Sequence, residues 1–92
     1  MSTYYVVSYD LSKPGRDYEE LHKFLRSHRD WAKVLESVWI VESDLTQLEL
    51  VNAALKHMDA NDHIIVTPYT GVAAWYNISP EVQKWIQKTH VS

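Results

Sequence analysis

The stretch Tyr4-Tyr5-Val6-Val7-Ser8-Tyr9-Asp10 constrains this chain most, because it is strand-like and apolar on both of its faces. β-Branched and aromatic side chains suit a pleated strand, and the Pro14-Gly15 pair that follows ends one. Alternation places Tyr5, Val7 and Tyr9 on one face and Tyr4, Val6, Ser8 and Asp10 on the other. A strand with so little polar surface belongs in the middle of a sheet, covered on both sides. Asp10 falls where the strand leaves that cover, beside a loop. A carboxylate there can hold a metal ion, position a proton or cap the turn.

The segments that follow supply the partners for such a strand. Asp17-Tyr18-Glu19-Glu20 opens a helix, with Asp17 as N-cap and Glu20 three residues on. Tyr18, Leu21 and Leu25, widened by Phe24, give that helix one apolar face. Val38-Trp39-Ile40-Val41 has the composition of a buried strand, and Ala32 to Leu35 a shorter one before it, with a tight hairpin near Glu36-Ser37; one long bent strand is the alternative. Thr46 and Glu49 then form a capping box, with Leu45 and Leu50 as its hydrophobic staple. Leu48, Val51, Leu55 and Met58 continue the stripe of this second helix. Asp59-Ala60-Asn61-Asp62 is turn chemistry. His63 to Tyr69 reads as a strand, and Pro68 sends it to an edge. Thr70-Gly71 turns the chain into a short fifth strand, Val72 to Tyr76. Ser79-Pro80-Glu81 starts a final helix with Val82, Trp85 and Ile86 on one face.

The order β-α-β-β-α-β makes residues 1–92 a single α+β domain, a ferredoxin-like sandwich. It predicts a four-stranded antiparallel sheet in the order 4-1-3-2, with a short fifth strand and a C-terminal helix added. Both main helices cover one face. The other face needs the C-terminal helix or a second protomer. The richness in aromatics, with four Trp, six Tyr and one Phe, also favours a homodimer.

Composition narrows the setting. At 46% hydrophobic and 23% charged, the chain is an ordinary globular domain rather than a disordered one. It has no cysteine, which removes disulfides, thiolate zinc sites and a cysteine nucleophile, and fits a cytoplasmic location. Neither a signal peptide nor a membrane-spanning apolar run is visible, so no membrane partner is expected. A net charge of −3 argues against nonspecific nucleic-acid binding over the whole surface. The cations nevertheless cluster. Lys13, Arg16, Lys23, Arg26, Arg29 and Lys33 all lie in one short span, and Lys23, Arg26 and Arg29 can share a helix flank. That flank is either a solvated face balanced by Glu19, Glu20 and Asp30 or a stripe for phosphates.

The 4-1-3-2 order also says what surrounds Asp10. The end of the first strand lies beside the starts of the third and fourth, which carry Glu36-Ser37 and Asp62-His63. One rim gathers Asp10, Ser37, Asp62 and His63, with Glu36 near. Oxygen donors with few nitrogens suit a hard ion such as Mg²⁺ or Mn²⁺, and such carboxylate sites serve phosphodiester cleavage. The structural reading of the same residues is a loop-rich rim that collects turn formers.

An apolar first strand ending in Tyr9-Asp10, then a helix, then Glu36-Ser37-Val38-Trp39 opening a strand, then Asp62 before an apolar strand resembles the small CRISPR-associated adaptation nuclease family and its VapD-type relatives. The resemblance spans roughly residues 3 to 76. It implies a ferredoxin-like homodimer whose sheets face each other. It further implies that Asp10 holds Mg²⁺ or Mn²⁺ across the dimer for RNA or DNA hydrolysis, as an endoribonuclease or endodeoxyribonuclease. Ser37 and Trp39 fall on the family's serine–aromatic motif. The arginine-rich run that the family carries after the acid is here Leu11-Ser12-Lys13-Pro14-Gly15-Arg16, and the terminal helix with Trp85 is atypical.

The expected site is therefore catalytic Asp10 and Ser37, with Asp10 as metal ligand and Lys13, Arg16, Arg26 and Arg29 as nucleic-acid contacts. Asp62, His63 and Trp39 are secondary candidates. The alternative from a different class is a non-catalytic dimeric scaffold or regulatory module that binds nucleic acid or protein. His22 and His28, six apart on one helix, read as boundary residues. Trp75, Tyr76 and Trp85 read as core or interface anchors before base-stacking platforms.

Overall fold

The computed structural model describes residues 2–12 and 18–89. In chain order the elements are β1 (Thr3–Asp10), α1 (Glu19–Arg26), β2 (Asp30–Leu35), β3 (Val38–Ser43), α2 (Gln47–Leu55), β4 (His63–Pro68) and α3 (Pro80–Thr89). The four strands form one antiparallel sheet in the order β2-β3-β1-β4. Read from the β4 edge this is 4-1-3-2, an α+β arrangement compatible with a ferredoxin-like fold. The apolar first strand takes an inner position, with β3 on one side and β4 on the other.

Register divides the sheet into two unlike faces. Tyr5 lies opposite Val41 and Pro68, and Val7 opposite Trp39 and Val66, so these residues share the face that α1 and α2 cover. Tyr5, Val7, Tyr9, Trp39, Val41 and Val66 bury there against Tyr18, Leu21 and Leu25 from the α1 side and Leu50 and Ala54 of α2. Trp39 fills the centre and donates its indole N–H to the Tyr9 hydroxyl at 3.0 Å. The donor of a buried indole is thereby satisfied without water. Burial raises the Tyr9 phenol above its ordinary pKa, the Trp39 bond opposes this and Glu36 adds to it.

The other face carries Tyr4, Val6, Ser8 and Asp10 of β1, and α3 covers only part of it. The Trp85 ring meets Tyr4 edge-on at 6.1 Å, and its Nε1–H donates to Asp30 at 2.9 Å. Tyr4 donates its hydroxyl to the same carboxylate, at 3.2 Å. Burial, then the acceptor and charge of Asp30, push the Tyr4 phenol up to about 12. Ala32, Ile40 and Ile86 are buried under this cover. Ile65 of β4, on the same face, is 61% exposed.

Local signals explain most of the boundaries. The capping box at α2 is present in both halves: Glu49 N–H donates to Thr46 Oγ1 at 3.2 Å, and Thr46 N–H to Glu49 Oε1 at 2.8 Å. Glu36-Ser37 is the two-residue turn of the β2–β3 hairpin, with a register irregularity between Lys33 and Leu35. Two expectations fail. The stripe of α2 is rotated from expectation: Val51 and Met58 pack against the core as expected, but Leu50 and Ala54 are the fully buried residues while Leu48 and Leu55 are exposed. Leu50 and Ala54, four residues apart, share the face of the helix that joins the core. The fifth strand does not form. Val72 to Tyr76 pairs with no strand, and Val72 and Tyr76 stand 84% and 92% exposed.

The start of α1 also differs from expectation. Tyr18, which has no short side-chain acceptor, occupies the N-cap position without a side-chain cap, and its hydroxyl donates to Asp62. The expected cap, Asp17, lies outside the described residues.

Two leucine substitutions test the assignment of faces. Leu21→Ala should destabilise by about 2–5 kcal/mol, the usual cost of emptying a buried leucine site. Leu48→Ala should stay within about 0.5 kcal/mol, as for an exposed side chain. Urea unfolding of both variants reads the difference directly, and comparable losses would place α2 in the phase the sequence suggested.

Candidate functional site

Asp10 is the last residue of β1 and is exposed on the partly covered face. The β1–β4 register sets His63 directly opposite it, and directly opposed residues on one face stand about 4.5–5.5 Å apart at Cβ. Both line an open concavity of about 250 Å³ together with Ser8 and Ile65. The hairpin turn closes the other flank of the same rim, where Tyr9 N–H donates to the Ser37 carbonyl at 3.1 Å. Asp10, Ser37 and His63 thus come together as the sheet order required, with Glu36 exposed beside them.

Asp62 takes a different part. It precedes His63 by one residue, and alternation turns it toward the helix-covered side. There it is almost fully buried and accepts four hydrogen bonds. Oδ1 receives Ser12 N–H at 2.8 Å, Ser12 Oγ–H at 2.9 Å and the Tyr18 hydroxyl at 3.1 Å; Oδ2 receives Asp59 N–H at 2.8 Å. Burial alone would raise this carboxyl. The donations from the Ser12 and Asp59 backbone, then from the Ser12 and Tyr18 hydroxyls, outweigh it and hold the pKa down at about 2. Asp62 is a structural clamp that ties the residue after Leu11, the entry to α1 and the turn before β4 to one point. It is not a member of the exposed rim.

Trp39 likewise leaves the candidate site. It is 1% exposed and faces the helices, on the opposite side of the sheet from Asp10. The residue type at that position is explained by core packing and by its bond to Tyr9.

Of the basic span, Lys23, Arg26 and Arg29 lie beside carboxylates of α1 and of the β3 end. Arg26 ends α1 and pairs with Glu19 at 2.6 Å. Arg29 pairs with Asp44 at 2.9 Å and lies 3.9 Å from Glu42. Glu42 faces Asp30 and Tyr4, at the end of the sheet away from Asp10. Lys23 lies 3.7 Å from Glu20. Each cation of this flank has a carboxylate beside it. Lys13 and Arg16 lie outside the described residues.

Among the described residues no three His, Asp or Glu side chains converge in a way that could hold a metal ion. One chain offers a carboxylate and an imidazole. The other described histidines are packing groups: His22 lies against Trp39 with ring centroids 5.9 Å apart, and Phe24 meets His28 and His57 at 4.9 and 5.5 Å. No described helix is long and apolar enough to cross a membrane.

No family model matches the chain, and no curated protein does. A solved structure does. The crystal structure of a hypothetical protein, TT1823 from Thermus thermophilus, is 26% identical in sequence and aligns with a TM-score of 0.66. The match covers 86% of this chain and 96% of that one, so nearly the whole of the smaller domain is shared.

The Asp62 clamp has an acid signature. Its folded pKa lies below the ordinary value of 3.8, so its stabilisation is complete above that value and is lost as pH falls through about 2. Asp62→Ala should destabilise by about 2–4 kcal/mol at neutral pH, since it strands several buried donors. Asp62→Asn should lose the acid-dependent part of the stability. Unfolding curves from neutral to strongly acid pH test this, and parallel curves for Asp62→Asn and wild type would remove Asp62 as the clamp.

Proposed function

We propose that this chain is a homodimeric, divalent-cation-dependent nuclease acting on RNA or DNA, on a ferredoxin-like fold of the small CRISPR-associated adaptation nuclease type. The observation that carries this reading is Asp10: an exposed carboxylate at the end of an inner strand, on the one sheet face that is incompletely covered. Val6, Ser8, Val38 and Ile65 adjoin it on that face, and a second copy laid on them would add a second Asp10. One carboxylate and one imidazole are few protein donors for a cation, and a second copy would double them.

Within that dimer each chain's residues have separate tasks. Asp10 and its twin would hold the ion. Ser37, placed at the rim by the Tyr9 N–H bond to its carbonyl, would offer its hydroxyl to a phosphate oxygen. When bound, the ion neutralises charge on the phosphate and makes a bound water a better nucleophile. Asp62 keeps the loops on either side of the rim in place through Ser12, Tyr18 and Asp59.

A second reading is a non-catalytic dimeric scaffold on the same face. The pairing of Arg26 and Arg29 with carboxylates favours it, since a nuclease gains from cations near its substrate.

Incubation with labelled RNA and DNA in Mg²⁺, Mn²⁺ or EDTA distinguishes the two. The nuclease reading expects metal-dependent cleavage that Asp10→Asn lowers by about a hundredfold or more, the scale of losing one charged transition-state contact. Sedimentation equilibrium should show dimers for both proteins. Dimers without cleavage would leave the scaffold, and monomers at tens of micromolar, roughly where a stable interface should hold, would sink both.

A further inference from the structure

The rim is not the oxygen-only site that a hard cation prefers. His63 is locked opposite Asp10 by the β1–β4 ladder, on the same face, and both side chains are exposed in the same open concavity. The nearest other carboxylate in sequence, Asp62, is spent on four hydrogen bonds on the opposite side. Glu36, exposed in the hairpin turn on the other flank, forms no three-membered metal-holding group with Asp10 and His63, so the pair itself is one carboxylate and one imidazole.

We infer that Asp10 and His63 act together as a two-donor clamp for a first-row transition ion of the Co²⁺ or Zn²⁺ class, with His63 selecting that class over Mg²⁺. This rests on the nuclease reading only in that a second chain, brought face to face, supplies the remaining donors: two carboxylates and two imidazoles in all. Imidazole suits Zn²⁺, Ni²⁺ and their neighbours, whereas Mg²⁺ takes oxygen ligands and gives up its water reluctantly. Affinity for a mixed nitrogen–oxygen set rises from Mn²⁺ toward Co²⁺ and beyond. A cross-strand pair also suits the task mechanically. The two backbones are fixed by the ladder, so the donors are held at a set separation before the ion arrives.

The test is direct binding, read apart from any cleavage. The full chain and its His63→Gln and Asp10→Asn variants are titrated with Co²⁺ and with Mg²⁺ by calorimetry, and the Co²⁺ visible absorption reports imidazole coordination. Wild type should bind Co²⁺ more tightly than Mg²⁺. His63→Gln should lose Co²⁺ affinity by about tenfold or more, with its imidazole-dependent spectrum, while Mg²⁺ affinity stays unchanged. Asp10→Asn should weaken both ions. Unchanged thermal unfolding of apo His63→Gln, an exposed edge-strand substitution, shows that any loss is local. Equal Co²⁺ affinity in His63→Gln and wild type overturns the clamp, as does Mg²⁺ binding as tightly as Co²⁺, or no binding of either. His63-dependent Co²⁺ binding without nucleic-acid cleavage would support the clamp and overturn the nuclease reading. Mg²⁺-supported cleavage that His63→Gln leaves intact, with Co²⁺ affinity also intact, would do the reverse.

Discussion

Strand β1 has a neighbour on each side and apolar residues on each face, and the rest of the chain is arranged by the need to cover it. The two faces are covered by different means and to different extents. On one, α1 and α2 pack on the sheet and leave Val7, Leu21, Leu25 and Leu50 without exposed surface. On the other, α3 arrives last, after a segment without regular structure, and attaches through Tyr4, Asp30 and Trp85 at the end of the sheet where β1 begins. Asp10 is at the opposite end of the strand. Its exposure follows from where the cover is anchored.

Elements whose signals are local were legible in the sequence. The capping box of α2 needs only Thr46, Glu49 and their own backbone, and it forms as read. The strand order followed from a comparison of β1 with the remaining strands, since only an inner position suits two apolar faces. The phase of α2 was not legible, because Leu48, Leu50, Val51, Ala54 and Leu55 offer two plausible apolar stripes. The choice between them lies with the sheet. Val72 to Tyr76 has strand-forming composition, yet a strand requires an edge to pair with. Composition says nothing of whether such an edge is within reach.

The site was legible to the same degree and for the same reason. Topology brought Asp10, Ser37 and His63 to one rim, and topology could be deduced. The roles of Asp62 and Trp39 depended on which side of the sheet each side chain takes. A shift of one residue along a strand reverses that side, so Asp62 and His63, adjacent in sequence, serve a buried clamp and an exposed rim. The carboxylates beside Arg29, on the basic flank of α1, were not legible, for a longer-range reason. Glu42 and Asp44, distant in sequence, arrive beside Arg29 only when β3 pairs with β2.

Length completes the account of the exposed rim. A ten-residue helix extends about 15 Å, while an eight-residue strand extends about 26 Å. A helix anchored at the Tyr4 end and lying along the sheet runs out before it reaches Asp10. Crossing the sheet instead, it would span about three strand spacings but cover still less of the strand's length. In either orientation Ser8, Asp10 and the β4 residues opposite them stay outside the cover, and Ile65 is exposed among them. An apolar side chain beside a carboxylate and an imidazole, on a face otherwise closed by a helix, is the composition of an interface with a polar centre. The incomplete cover and the donor pair are therefore two consequences of one geometry. The helix is too short for the strand, and the strand ends in Asp10.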